Sequence, residues 1–217
     1  MLKLNKLYLM DCMEGMKTFP DNYFDLAIVD PPYGINAGSD NRFGKYVGGA
    51  TKRKDYDKKE WDSKVPTQGY FNELNRVSKN QIVWGANYYS CLTGGMIVWN
   101  KDVPPNYTKS KCEIAYKSHG VSVDYVKIMW HGMLQENMKD KELRIHPTQK
   151  PVQLYKWILH NYAKPDFKII DTHVGSGSSI IAFLDYGCEW IGFEIDPDYH
   201  AAASKRIEIH QMQTKLF

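Results

Sequence analysis

Four consecutive residues, Asp30-Pro31-Pro32-Tyr33, place a carboxylate, a backbone carbonyl and an aromatic ring side by side. A carboxylate and a carbonyl both accept from an NH2 group, and a ring stacks on a planar base. The set therefore suits a base carrying an exocyclic amine. The plain alternative is a strand that stops at a Pro-Pro turn over a buried tyrosine, because four-residue motifs recur by chance.

A second constellation lies near the other end of the chain. Asp171 is followed by Thr172-His173-Val174-Gly175-Ser176-Gly177-Ser178-Ser179. A Gly-x-Gly turn lets a ligand approach the backbone and aims amide N–H groups at it. The loop lacks the GK[ST] ending of a P-loop, and Ile180 stands where a dinucleotide fingerprint has its third glycine. Glu194 follows about twenty residues beyond this loop, the spacing at which a carboxylate takes ribose hydroxyls. The site is thus expected to hold a ribose-bearing ligand with a small polar end rather than a triphosphate. Two further groups have open roles. Asp11 accepts from a ligand's hydroxyl or amine, or is a surface aspartate at a helix N-cap. Lys150 reaches an anionic group such as a carboxylate, or is an ordinary surface lysine.

These groups need elements to position them. Phe24 to Val29 is an apolar run read as a buried strand, and the two prolines end it because neither donates to a ladder. Asp30 then falls at a carboxyl strand edge, where ligands sit in open α/β sheets. Lys6 to Met10 reads as a first strand and Cys12 to Phe19 as a helix, giving a strand–helix–strand unit and a parallel sheet. A short helix over Phe71–Val77 and strands over Gln81–Trp84, Met96–Trp99, Glu113–Tyr116 and Val123–Trp130 follow. Gly85 to Tyr89 is a loop or helix start, and Pro104-Pro105-Asn106 a turn. Pro151 opens a helix whose Val152, Tyr155, Leu159 and Tyr162 share a buried face. Lys168–Asp171 is a strand, Ile180–Tyr186 a helix, and Trp190–Phe193 a strand ending at Glu194. Asp196-Pro197 caps a last helix, with a frayed tail from Gln211 to Phe217.

The 217 residues, 43% apolar and 13% aromatic, suffice for a packed core, and read as one domain over 1–217. That domain carries a basic insertion at 38–66 and a small DNA-recognition region at 101–145. Net charge is only +3, so an argument for nucleic acid rests on where the charge lies. From Asn41 to Lys64 eight Lys/Arg stand against four Asp/Glu, a local +4, which leaves −1 for the rest. Arg42, Lys45, Lys52, Arg53 and Lys54 among aromatic residues that include Trp61 are how proteins hold a DNA backbone and splayed bases. A solvated loop without a partner is the alternative. Little in this loop can pack, so poor order without DNA is expected. The scattered Cys12, Cys91, Cys112 and Cys188 form no CxxC pair and show no metal-ligand spacing with histidine, which predicts reduced thiols, a cytoplasmic setting and no metal. No leader-like or bilayer-length apolar run is evident.

Taken together, the DPPY tetrad, the run His146-Pro147-Thr148-Gln149-Lys150-Pro151, the glycine loop and the strand ending at Glu194 resemble the S-adenosylmethionine-dependent DNA amino-methyltransferases, which modify adenine N6 or cytosine N4. The order of tetrad before glycine loop resembles the β class. The resemblance spans nearly the whole chain and implies a single doubly wound, Rossmann-like, mostly parallel α/β sheet in a circularly permuted methyltransferase fold. It implies that Asp30 and the Pro31 carbonyl hold the target amine, with Pro32 completing the tetrad, and that Tyr33 stacks on the flipped base. It implies that Asp171, Gly175, Ser176, Gly177 and Ser178 cradle the methionine part of the cofactor. Glu194 would bind its ribose, Asp11 would lie near its adenine and Lys150 near its carboxylate. Double-stranded DNA is the implied partner, and a homodimer is implied by likeness alone. Family members usually carry Pro-Phe after the loop's Asp, where this chain has Thr172-His173. No large target-recognition domain is visible, so sequence specificity comes from 41–64, 101–144 or a partner subunit, or is lax.

Asp rather than Ser before Pro-Pro-Tyr favours adenine N6 over cytosine N4. A protein-glutamine methyltransferase uses a PPY tetrad too, but there the glycine loop comes first. A module that binds DNA or cofactor without turnover would not need the tetrad intact.

Overall fold

The structure is a computed structural model describing residues 1–37, 61–107, 110–131 and 134–214. The basic residues Arg42, Lys45, Lys52, Arg53 and Lys54, and the expectation about that loop's order, lie outside the described residues.

Eight strands form one sheet in the order β1-β10-β9-β2-β3-β5-β4-β6. They are β1 (Lys6–Leu9), β2 (Leu26–Val29), β3 (Gln81–Trp84), β4 (Gly95–Asn100), β5 (Cys112–Lys117), β6 (Val123–Lys127), β9 (Lys168–Asp171) and β10 (Glu189–Glu194). A separate small hairpin pairs β7 (Trp130–His131) with β8 (Leu134–Gln135). Pairing is parallel throughout except around β5, which runs antiparallel to both β3 and β4. The doubly wound, mostly parallel sheet expected from sequence is the one found. Two of its strands, β5 and β6, come from the stretch 101–145.

The central strands are apolar because both faces are covered. Along β9 and β2 the side chains alternate between two cores: Ile169, Leu26 and Ile28 enter one, and Ile170, Ala27 and Val29 the other. The first core is closed by α3 (Val152–Tyr162), α4 (Ser178–Tyr186) and Ala203 and Ile207 of α5 (Pro197–Thr214). The second is closed by Met16 of α1 (Cys12–Met16) and Tyr70, Phe71 and Leu74 of α2 (Gln68–Val77). Burying a side chain the size of Leu or Ile contributes about 1.5–3 kcal/mol, so the two layers hold the strand ends firmly.

The structure differs from the sequence reading at several places. The first helix stops at Met16, where the Thr18 hydroxyl takes the Gly15 carbonyl and Phe19 N–H closes on Met16. Strands β1 and β2 are parallel but not neighbours, because β10 and β9, from the far end of the chain, insert between them. The strand from Val123 ends at Lys127, and Trp130 begins the separate hairpin. Helix α5 runs to Thr214, so Gln211–Thr214 is helical rather than frayed. In α3 the most buried residues are Leu154, Tyr155, Ile158 and Leu159, while Val152 and Tyr162 flank them, partly buried.

The topology brings the two motif-bearing strands together. β2 and β9 are adjacent and parallel, Ala27 paired with Ile170. Asp30 and Asp171 therefore end neighbouring strands on the same sheet edge, and β10, next to β9, ends there at Glu194.

Candidate active site

The tetrad leaves the end of β2 and is fixed from three directions. Asp30 Oδ1 accepts the Tyr33 hydroxyl at 2.5 Å, and Oδ2 accepts Lys150 Nζ at 2.5 Å. Lys150 also donates to the Tyr33 hydroxyl oxygen at 3.0 Å. Asp62 holds the turn that follows, accepting from the backbone N–H groups of Tyr33, Gly34 and Ala37 at 2.5, 2.9 and 2.8 Å. The Pro31 carbonyl is not bare. The Tyr89 hydroxyl lies 2.9 Å from it and 3.0 Å from the Pro32 carbonyl, but a carbonyl has two lone pairs and keeps one. Tyr33 already has a stacking partner, Tyr88, with ring centroids 4.9 Å apart and planes 14° apart.

Lys150 is not a surface lysine, and the anionic group it reaches is Asp30. It is 3% exposed and sits between Asp30 and Glu113 Oε2, 3.1 Å away. Burial opposes its charge, but the two carboxylates outweigh it and raise Lys150 above the ordinary lysine value. Burial likewise pushes Asp30 up, and Lys150 pulls it back. Burial works on Glu113 in the same sense, but Lys150 and Lys101 outweigh it and hold Glu113 down at about 2. Each charge in the group stands beside an opposite one.

The other half of the site is built on β9, the glycine loop and β10. Asp171 is 2% exposed. Its oxygens accept His173 N–H at 2.9 Å and the Ser179 hydroxyl at 2.5 Å. Burial drives its carboxyl up to about 7 against those two bonds, with Asp30 and Glu194 adding to the rise. Gly175 and Gly177 have φ of +55° and +78°, conformations that cost other residues. Gly177 caps α4, and Ser176 and Ser178 join hydroxyl to hydroxyl at 3.1 Å. Glu194 Oε2 accepts Gly175 N–H and Oε1 accepts Asp196 N–H, both at 2.8 Å. Asp11 caps α1 through Met13 N–H at 2.8 Å, just past β1, whose Leu9 pairs with Glu194. The capping role is thus real, and it stands on the edge that holds Glu194.

Other residues come into the site without a sequence signal. Arg206 on α5 donates to the Ser176 carbonyl and Ser178 hydroxyl at 2.9 Å, and to Glu142 at 2.7 Å. Thr172 bonds the Tyr70 hydroxyl at 2.6 Å and His173 Nδ1 at 2.9 Å. Burial lowers His173 to about 4, so it is a neutral ring. Trp61, grouped by sequence with the basic residues, packs on His146 with centroids 4.9 Å apart, and the His146 ring lies beside Gly175. Asp62, Glu113 and Arg206 carried no periodic or motif signal. Their roles are set by partners far away in the chain.

A half-buried carboxylate beside a proline carbonyl and a ring, on the strand next to a glycine loop with two more carboxylates, marks an enzyme of the open α/β sheet class. Residues 94–205 match the N6/N4 DNA methylase family model, and the chain belongs to that family of DNA methylases. YubD of Escherichia coli (strain K12) is 27% identical over 215 residues, covering 91% of this chain and 87% of that protein. The Type II methyltransferase M2.DpnII of Streptococcus pneumoniae is 26% identical over 251 residues, covering 94% and 90%. Among solved structures, the complex of M1.HpyAVI with S-adenosylmethionine shares the fold, with a TM-score of 0.59 over 93% of this chain and 98% of that one at 18% identity. No described helix is long and apolar enough to cross a membrane, and no cluster of three or more metal-ligating side chains occurs among the described residues.

Proposed function

We propose that this DNA methylase transfers the methyl group of S-adenosylmethionine to the N6 amine of adenine, at a specific site in double-stranded DNA and on a flipped base. The observation that carries the reading is the placement of Asp30-Pro31-Pro32-Tyr33 and Asp171–Ser178 on adjacent parallel strand ends. The residues suit the cofactor. Glu194 offers two oxygens to a ribose diol, the glycine loop admits a close ligand, and Asp171 offers a carboxylate to an ammonium group. Bound there, the cofactor supplies an electrophilic methyl carbon on its sulfonium.

The chain's own part is acceptance and alignment. Two of the four lone-pair sites of Asp30 are taken by Tyr33 and Lys150, so two remain for an amine N–H. The second lone pair of the Pro31 carbonyl takes the other N–H. Two acceptors on one NH2 draw its lone pair out of ring conjugation toward the methyl carbon, and the fixed strand ends hold the reacting atoms in line. A base inside a duplex does not reach this pocket, so it must leave the stack, at a few kcal/mol. Tyr33 supplies the stacking face. Phosphate contacts are assigned to Arg42, Lys45, Lys52, Arg53 and Lys54.

Cytosine N4 is the second reading, because it presents the same NH2 edge to the same acceptors and the family covers both amines. The aspartate at the head of the tetrad favours adenine. Digesting DNA from cells expressing the chain and weighing the nucleosides tests the choice: N6-methyladenine supports it, and N4-methylcytosine overturns it. Four free cysteines accord with action in the cytoplasm. Pairing of two copies rests on family likeness, and light scattering tests it.

A further inference from the structure

Behind the tetrad a chain of ions crosses four elements. Lys101, just after β4, stands 2.5 Å from Glu113 Oε1 on β5. Glu113 Oε2 stands 3.1 Å from Lys150 Nζ, ahead of α3, and Lys150 stands 2.5 Å from Asp30 at the end of β2. Lysines and carboxylates alternate along this partly buried chain, so each group has a neighbour of opposite sign. The Trp84 ring lies 5.3 Å from the Lys150 ammonium and gives it no carboxylate of its own. Glu113 Oε2 is buried and makes no hydrogen bond in addition to that ion pair.

This order of charges has a chemical consequence for Asp30. A lone lysine closed on a carboxylate withdraws the electron density that a substrate N–H must find. A lysine shared with a second carboxylate withdraws less. We propose that Glu113 is a positioning residue for methyl transfer, sharing the Lys150 ammonium so that Asp30, though paired with it, keeps more acceptor strength than it would with a lysine that had no other carboxylate. The inference rests on the assignment of Asp30 to the target amine.

The groups that face Asp30 from each packed element set the signs. Lys150 favours its ionised form, as does the hydroxyl of Tyr33. Glu113 from β5 disfavours it, and Asp171 from β9 interacts with it as a like charge. Tyr89 from the turn after β3 and Tyr155 from α3 are neutral phenols held high by burial and then by Asp30. Removing the charge of Glu113 therefore makes Asp30 more acidic, and removing Lys150 makes it less acidic.

Single-turnover methylation of DNA with tritiated S-adenosylmethionine, measured from about pH 5.5 to 9, tests this in three variants. Glu113→Gln is expected to slow transfer about tenfold at neutral pH, to move the acid limb to lower pH, and to leave cofactor affinity within about twofold. Lys150→Met leaves two facing carboxylates, one of which must hold a proton, so the acid limb moves to higher pH. Combining Lys150→Met with Glu113→Gln should return the limb downward and recover part of the neutral-pH rate. A Glu113→Gln profile that overlays the wild type, or a double variant no faster than Lys150→Met, overturns the inference. Should Lys150→Met not fold, Glu113→Gln decides alone. Wild-type protein inert toward DNA would instead sink the function proposed above, whereas active wild type with an indifferent Glu113→Gln sinks only this role.

Discussion

A Cβ built on Gly85 stands 2.3 Å from Cε1 of Tyr33, and Gly85 has φ of +78°. Both the backbone conformation and the nearness of the ring require glycine there. Gly85→Ala must push the Tyr33 ring and with it the hydroxyl that binds Asp30. A loss in methylation of about tenfold or more is expected, with cofactor affinity unchanged. Single-turnover rates beside calorimetric titration of the cofactor check this, and a normal rate would show that Tyr33 need not be so placed.

Asp30→Ala removes the acceptor and leaves Lys150 with Glu113 as its carboxylate partner. Methyl transfer should vanish while cofactor binding stays largely intact. Filter-binding of labelled cofactor alongside the transfer assay separates the two. Cofactor loss as large as the activity loss would assign Asp30 to the other half of the site.

Asp171 has its carboxyl raised to about 7 by burial. A folded value above the ordinary aspartate value means that its neutral form contributes stability in full below about pH 4, a contribution lost as pH rises through about 7. A bound sulfonium and ammonium would favour the ionised form, so cofactor affinity should fall as pH drops below about 7, by at most about tenfold per pH unit. Titration calorimetry in two buffers of different ionisation enthalpy should also show proton release on binding near pH 6. A flat affinity between pH about 5.5 and 8 would place Asp171 away from the cofactor's charge.

His173 shows the opposite sign. Burial depresses it to about 4, so its contribution is present above about pH 6.5 and lost as pH falls through about 4. His173→Phe removes a group that must stay neutral, and the Tyr70 ring, 5.5 Å from the His173 ring, still packs there. The variant should gain melting temperature over wild type at pH about 5 and lose that advantage near pH 7.5. Because Asp171 acts in the other direction over the same window, the comparison is between the two proteins at each pH. An equal difference at both values would refute a titrating His173.

Arg206 ties the glycine loop to Glu142, whose other oxygen accepts Val152 N–H at the start of α3 at 2.8 Å. Arg206→Met leaves the half-buried Glu142 carboxylate without its cation, which is destabilising. Lower thermal stability and weaker cofactor binding should appear together, and Arg206→Met with Glu142→Gln should recover stability more than affinity. Affinity unmoved in the single variant would remove Arg206 from the loop's support.

Much of this was legible one element at a time. The apolar run into Asp30 is β2, the Gly-x-Gly run is the turn into α4, and Pro151 opens α3, because prolines, glycines and period-two burial act over a few residues. The place of β1 was not legible in that way. Its pattern says strand, but its neighbour β10 lies more than 180 residues on. Lys150 shows the same limit within the site. Its run marked it as a residue near an anion, and the anion is Asp30, 120 residues away.

By itself, the sequence determined which segments become strands and helices and which side chains stand at their ends, since those choices follow from local backbone freedom and apolar spacing. Only the tertiary structure decided that β2 lies against β9, that Asp62 gathers the turn after Tyr33, and that Lys150 is shared by Asp30 and Glu113. A charged side chain carries no local mark of its partner. The partner is fixed when the sheet order brings distant chain ends to one edge and burial makes an unpaired charge too costly to keep.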